Sequence, residues 1–459
     1  MNEVLEPYVR ITEGNSEKVI RIFKRLIEKR NATRLKKFID NIHPSDLALI
    51  WDAFDENEKE ILLNLLDSEK SAELLSYLNP QDRSEIFETK DENWIADRLE
   101  ELESDDAVDI LKELPAKKAS FVIRRFDPEY SQKIKELIRY PEETAGALMS
   151  SDFFAVNENA TIGKIIRKFK EVSDESELDD IHFIYVVDDE NHLQGYIPLR
   201  KLILEKTHKK AKEIMSRVPA VVTPEMDQEE VARIFKQYDL ISIPVVDEQN
   251  TLLGRITIDD IVDVLESESS EDVFRMMGLN KDERLTDSVF VSFKHRLPWM
   301  FINLITTSLS ALVIGMFTNV LKVHVALAMF MPMVAALGGA TGNQMVAMIV
   351  RGLALGEMHW RHVRYLLFRE VLAVTAGAMI IGSIAGVIAW QMNQNPHLGT
   401  VLFVAMIANM VFATLVGAGI PLVLKLLKLD PALGSSILVA ASTDLAGFFI
   451  FLGLATIFL

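Results

Sequence analysis

Hydrophobic and polar positions change rhythm twice along this chain, and each rhythm predicts a different architecture. Over residues 15–135 apolar residues come in short helical bursts, as in HPSDLALIWDAF, NPQDRSEIF and SDDAVDILKELP, punctuated by Pro and led by Ser or Asp. Such bursts read as short amphipathic helices with side-chain caps. Their spacing predicts a right-angled stack of helix pairs, an interaction or sensing region without a catalytic triad or metal-ligand motif.

Over residues 145–265 the pattern repeats itself. LMSSDFFAVNENATIGKIIRKF returns as IMSRVPAVVTPEMDQEEVARIF, and IYVVDDENHLQGYIPLRKLI returns as IPVVDEQNTLLGRITIDDIV. Each copy has short apolar strands, a turn and a glycine before another strand and a helix, which predicts two βαββα units.

From residue 298 the apolar residues run almost unbroken, over 298–321, 325–350, 371–390, 401–424 and 435–459. Each stretch is long enough to cross a bilayer core of about 30 Å, and no soluble fold needs five of them. Lys294 and Arg296 precede the first, Arg351, Arg361, Arg364 and Arg369 separate the second and third, and Lys425 and Lys428 separate the fourth and fifth. Retained basic loops mark the cytoplasmic side, so the C-terminus is expected outside. Trp299, Trp360 and Trp390 fall near span ends, where interfacial aromatics sit.

Charge sharpens this division. The 459 residues carry a net −18, yet the region from Pro298 onward holds seven Lys or Arg against four Asp or Glu, leaving 42 basic and 63 acidic residues in front. A front part at about −21 repels nucleic acid and anionic headgroups and collects cations. There is no cysteine, which excludes disulfides, thiolate metal sites and cysteine nucleophiles and points to hard cations. The start of the sequence lacks a basic segment followed by an apolar run, so the front part is expected to remain cytoplasmic.

Against this background a few residues stand out. Asp444 is the one charged residue inside the five stretches. A carboxylate at mid-membrane costs a few kcal/mol, so it should face a watery path with a cation as partner; a protonated carboxyl that glues helices is the alternative. In the second stretch Gly338 and Gly342 have small-xxx-small spacing beside Thr341, Asn343 and Gln344, fitting either close packing or a pore lining. Asn409 and Thr414 in the fourth suggest the same mixture. No Gly-Lys-Ser/Thr follows the glycines, which excludes a phosphate loop. In TIDDIVDVLESESSED, Asp260 and Asp263 are three apart, as are Glu268 and Glu271, so each pair can share a helix face and offer oxygens to a hard cation; a merely solvated face is the alternative.

The internal repeat resembles a tandem pair of CBS domains, regulatory modules that commonly bind adenine nucleotides. A Thr and an Asp after the last strand hold ribose in many of them, and Thr257 with Asp260 match in the second copy; Pro198 and Lys201 replace them in the first. The resemblance implies ATP at one site at most, without hydrolysis.

The whole order resembles the bacterial MgtE magnesium channels. GGATGNQ matches that family's GGxxGxQ signature, DPAL its turn before span five, and STDLAG its span-five aspartate motif. The implied fold is multidomain: an all-α helical domain over 1–135, an α/β tandem CBS pair over 136–266 with copies at 145–207 and 208–266, a connecting plug helix over 267–297, and a five-helix transmembrane domain over 298–459. The implied protein is not an enzyme but a homodimer in the bacterial inner membrane, importing Mg²⁺ through a pore lined by Asp444, Ala440, Asn343 and Asn409. Ala340 stands where many relatives carry Asn and supplies no side-chain oxygen. Regulatory Mg²⁺ is implied at Asp106, Asp109, Glu229, Asp239, Asp259, Asp260, Asp263, Glu268, Glu271 and Asp430. High cytosolic Mg²⁺ then closes the pore through residues 272–290. A gradient-driven carrier of divalent cations shares all these membrane features, and a membrane-anchored receptor or enzyme sensing nucleotide through its CBS pair is a further alternative.

Overall fold

A computed structural model describes residues 10–12, 14–175, 181–280, 283, 288–356, 358 and 360–459. Two compact units divide the chain, Met1–Val264 and Leu265–Leu459.

The first unit opens with short helices that start where the sequence says they should. Asp55, Asp67, Asn79, Asp91 and Asp127 each accept a backbone N–H at a helix start, and Pro44, Pro80 and Pro128 occupy the first helical turn, where no N–H is needed. Asp55 and Glu58 form a reciprocal capping box. Helix ends are held by basic side chains from later helices: Lys70 Nζ donates to the Asp40 carbonyl at 2.9 Å, Arg83 to the Leu75 carbonyl at 3.0 Å, and Lys118 to the Lys90 carbonyl at 3.0 Å. These contacts satisfy carbonyls that a helix C-terminus leaves open. Phe23, Trp51, Leu62, Leu74, Leu75, Ile95, Leu99 and Leu111 form the fully buried core.

The repeat follows. In the first copy, β1 (Ala155–Asn157) runs parallel to β2 (Phe183–Val187), which pairs antiparallel with β3 (Leu193–Pro198). In the second, β4 (Ser242–Val246) pairs antiparallel with β5 (Leu252–Thr257), and the expected leading strand shrinks to one parallel bridge between Val222 and Val245. Pro219 and Pro224 flank that bridge and supply no ladder donors, which explains the shortening. The copies exchange backbone. The opening segment of each copy pairs with the last strand of the other, Ser150 with Arg255 and Ser216 with Tyr196. Gly195 and Gly254 permit this approach, since a Cβ would lie 2.6 Å from the Ser216 carbonyl oxygen and 2.7 Å from that of Ser150. Asn191 and Asn250 adopt the same left-handed turn, at φ 68° and 67°.

In the second unit five helices are long and apolar enough to cross a membrane: Val289–Met316, Ala326–Ala354, Val363–Asn393, Pro396–Leu426 and Ser435–Phe458, here called spans one to five. Span one ends earlier than the apolar run suggests, because the helix breaks at Phe317 and a separate short helix, Thr318–Val323, follows. Span four packs against spans two, three and five, while span one leans chiefly on span five. Glycine lets backbones meet: a Cβ on Gly386 would sit 2.8 Å from the Gly399 carbonyl oxygen, and one on Gly417 3.0 Å from the Met345 Cβ. The helix Ile258–Met276 contains the boundary between the units, and the expected plug at 272–290 lies partly outside the described residues.

Candidate functional site

Span five forms as one uninterrupted helix and carries Ala440 and Asp444 one turn apart, so both lie on one face, half-buried. Among the described residues Asp444 makes no ion pair or hydrogen bond. Asn343 on span two is half-buried, and its Oδ1 is shielded from solvent without a donor.

Asn409 is fully buried within the bundle of one chain. Its Nδ2 donates to the Val334 carbonyl of span two at 2.9 Å. Its amide fills a notch made by two glycines: a Cβ on Gly447 would come within 2.8 Å of Nδ2 and 3.1 Å of Oδ1, and one on Gly338 within 3.1 Å of Cγ. Oδ1 has no donor. An interhelical bond in a membrane contributes on average about 0.6 kcal/mol. An unsatisfied buried acceptor costs about 1–3 kcal/mol, which offsets what that bond contributes. Thr414, by contrast, only bonds back to the Met410 carbonyl of its own helix.

The turn before span five is tied to the end of the helix Ile258–Met276. Arg275 pairs with both Glu271 and Asp430, and its carbonyl accepts the Gly434 N–H at 2.8 Å. The other Asp430 oxygen accepts the Ala432 N–H at 2.7 Å, closing the DPAL turn. Gly434 and Gly278 both have positive φ, 58° and 71°, and a Cβ on either would run into Trp299. A guanidinium therefore stands between two carboxylates for which the resemblance implies a divalent ion. Burial raises Glu271 despite Arg275, and burial with repulsion from Asp430 and Glu268 raises Asp272 to about 6.

In the first unit the acidic residues gather around the helix Ser104–Glu113 and the start of the helix Ile258–Met276. Asp260 is pushed up to about 7 by burial and by the nearby Asp259 and Asp106, although it accepts from Thr257 N and Oγ1 at 3.1 and 2.8 Å. Asp106 rises to about 6 through crowding by surrounding atoms and repulsion from Glu103, Asp109 and Asp259. Its side chain is still solvent exposed, so repulsion is the firmer of those causes. Asp105 is buried with one oxygen unpaired and is raised well above the carboxylate range by burial and by Asp260. Asp105 is absent from the sequence-based set, where its neighbour Asp106 stands. Its i, i+4 relation to Asp109 was the available signal. Asp109, Asp259 and Asp263 are exposed near this cluster. Glu229 lies in the first turn of the helix Gln228–Tyr238 and Asp239 caps its end, about 15 Å away at 1.5 Å per residue, too far to share an ion within one chain. Among the described residues no three His, Cys, Asp or Glu converge closely enough to hold a metal ion.

A cavity of about 270 Å³ opens beside this cluster, lined by Glu103, His182, Phe183, Tyr185, Ile241, Ser242, Arg255, Thr257, Ile258 and Asp259. It falls just below the usual range for small-molecule pockets, about 300–1,000 Å³. Aromatic walls suit a base, and Thr257 lines it as expected, but the Asp260 carboxylate is engaged by Thr257 and Asp259 takes the lining position. Arg255 pairs with Glu103 at 2.8 Å within it.

Known proteins share this arrangement. A model of the MgtE divalent cation transporter matches residues 331–454, the MgtE intracellular N domain matches 42–143, and CBS domains match 145–206 and 211–267. A Thermus thermophilus protein named magnesium transporter MgtE is 33% identical over 458 residues, covering 96% of this chain and 99% of its own length. A Bacillus subtilis protein of the same name is 34% identical over 331 residues, 72% of each chain. The solved cytosolic domain of the Mg²⁺ channel MgtE in complex with ATP is 33% identical, with a TM-score of 0.50, covering 53% of this chain and 99% of that one. With soluble helical and CBS regions ahead of five candidate membrane helices, and similarity along nearly its full length, this chain belongs to the MgtE family of divalent cation transporters.

Proposed function

We propose that the protein is a Mg²⁺ channel of the cell membrane, assembled from two copies around a shared pore, that imports Mg²⁺ and closes when cytoplasmic Mg²⁺ is high. The observation that carries this reading is Asp444: a carboxylate half-buried in a span, without a basic partner among the described residues. Two such groups on a twofold axis offer two negative charges to one divalent ion. Mg²⁺ sheds water reluctantly, so carboxylates that grip it through its water shell reject monovalent ions by charge and still release it.

Closure is assigned to the crowded carboxylates. Asp105, Asp106, Asp259 and Asp260 repel one another, and hard-cation binding relieves that repulsion. Their spread fits several weak, water-mediated contacts better than one tight cage. Asp109, Glu229, Asp239, Asp263, Glu268, Glu271 and Asp430 are assigned lesser parts in it, with Arg275 displaced where Mg²⁺ binds Glu271 and Asp430. Bound ions shift the equilibrium only by favouring the closed form, so several weak sites give a steep response. The cavity beside Thr257 is assigned to ATP, whose adenosine end suits its aromatic walls; the solved cytosolic domain of a relative in complex with ATP supports this.

The test is a reconstituted bilayer with Mg²⁺ currents recorded across a range of cytoplasmic-side Mg²⁺, for wild type and Asp444→Asn. Large currents that fall as Mg²⁺ rises and vanish in the variant are expected. Slow uptake coupled to a proton or sodium gradient would instead make the protein a carrier.

A further inference from the structure

Asn409 combines features that stability alone does not explain. It is wholly buried in the bundle, half of its amide is bonded and half is orphaned, and two glycines on different spans are hollowed to receive it. A buried polar group left half-satisfied calls for an explanation other than packing alone. The geometry ties it to Asp444. Gly447, against which the Asn409 amide rests, follows Asp444 by three residues in the same helix, so the two share a face within one turn. On span two the Val334 carbonyl and Gly338 fix the other side of the amide, and Gly338 opens the GGATGNQ segment.

We infer that Asn409 is a positioning residue for ion passage: by bonding to span two and wedging against Gly447, it sets the rotation and depth of span five and thereby the place of the Asp444 carboxylate. It touches no ion itself. Val439 and Thr443 of span five pack on Gly342 of span two below this level, and the Asn409 amide is the polar contact above it. This inference rests on the assignment of Asp444 to the ion path.

The packing is reciprocal, which makes it testable. Asn409→Ala empties the notch, Gly447→Ala drives a methyl into it, and in the double variant the methyl takes the space the amide has left. Each protein is reconstituted into liposomes, the folded fraction is quantified, and Mg²⁺ uptake is measured with and without competing Ca²⁺. Each single substitution is expected to change both the half-saturating Mg²⁺ concentration and the Mg²⁺-to-Ca²⁺ flux ratio severalfold per folded molecule, and the double variant to recover much of that change. A fall in folded protein with both readouts unchanged overturns the inference, as does a double variant whose shifts are simply the combination of the singles. Asp444→Asn in the same assay separates the two levels. If it transports like wild type, the pore assignment falls and this inference with it; if it is inactive while Asn409→Ala keeps normal selectivity, this inference alone falls. Should Gly447→Ala fail to insert, Asn409→Ala, which only removes atoms, decides the matter on the two readouts.

Discussion

Carboxylates in the two units are kept in opposite ways. In Met1–Val264 they are numerous, crowded and mutually repelling, with Asp105, Asp106 and Asp260 all raised. In Leu265–Leu459 they are sparser: those that crowd, Glu268, Glu271, Asp272 and Asp430, share the Arg275 guanidinium, and Asp444 stands alone in a span. Where water is near, a protein can let acids repel and leave the excess to mobile cations. Inside a membrane a carboxylate is costly to keep, and under the proposed function one residue there would carry what many share in the other unit.

The largest test of this contrast is Asp444→Ala. An ion contact of about 3 kcal/mol corresponds to about a 100-fold change. Mg²⁺ flux in liposomes should fall by at least that order, whereas Asp106→Asn alone should leave open-state flux near wild type. If neutralising Asp106 were as damaging, the division between a single and a shared role would be lost.

Next comes Arg275→Gln, which leaves Glu271 and Asp430 facing each other. Removal of the shared partner from a partly buried ion triad should lower the stability of the membrane unit by about 1–3 kcal/mol, read by thermal unfolding in detergent. Adding Asp430→Asn should recover part of the loss by removing the repulsion.

A smaller effect follows from pH. A carboxyl raised in the folded state binds its proton more tightly there than when unfolded. Its cost is therefore absent below the ordinary value of 3.8 and fully present above the folded value, about 7 for Asp260 and about 6 for Asp106. Lowering pH from about 8 to about 5 without divalent ions should raise the unfolding temperature of the soluble unit by a few degrees, followed through Trp51 and Trp94. Mg²⁺ at about pH 8 should act in the same direction, and the two effects should not add. A rise on going to alkaline pH would contradict the crowded-acid picture. The smallest expected effect is Asp109→Asn, at an exposed position, where the change in stability should stay within about 0.5 kcal/mol.

Much of the fold was legible because local chemistry and global fold agree. Capping Asp and Asn residues, first-turn prolines and the alternating apolar strands wrote the helical region and the repeat into the chain. Asp444 was legible because charge is rare in an apolar run. What escaped were relations between distant positions. Nothing local marks Arg275 as the partner of Asp430, or Asp105 as the buried member of a pair of adjacent acids. Asn409 was noticed, but whether a polar residue faces a pore or a neighbouring helix depends on Gly338 and Gly447, two glycines in two other segments. The shortened strand at Val222 was foreshadowed by its flanking prolines, yet sequence similarity to the first copy outweighed them.

The exchange of backbone between the repeat copies bears on how the chain is made. Ser150 needs Arg255, and Tyr196 needs Ser216, so neither half closes from its own residues. During synthesis the β3 edge of the first copy stays unpaired until Ser216 has left the ribosome, and Ser150 meets its partner only after Arg255 has done so. A nascent chain halted between the copies would present an open strand to any other chain in the same condition. The duplication that lets the copies brace each other also makes each depend on the other for closure, and leaves a place where two unfinished molecules could trade halves.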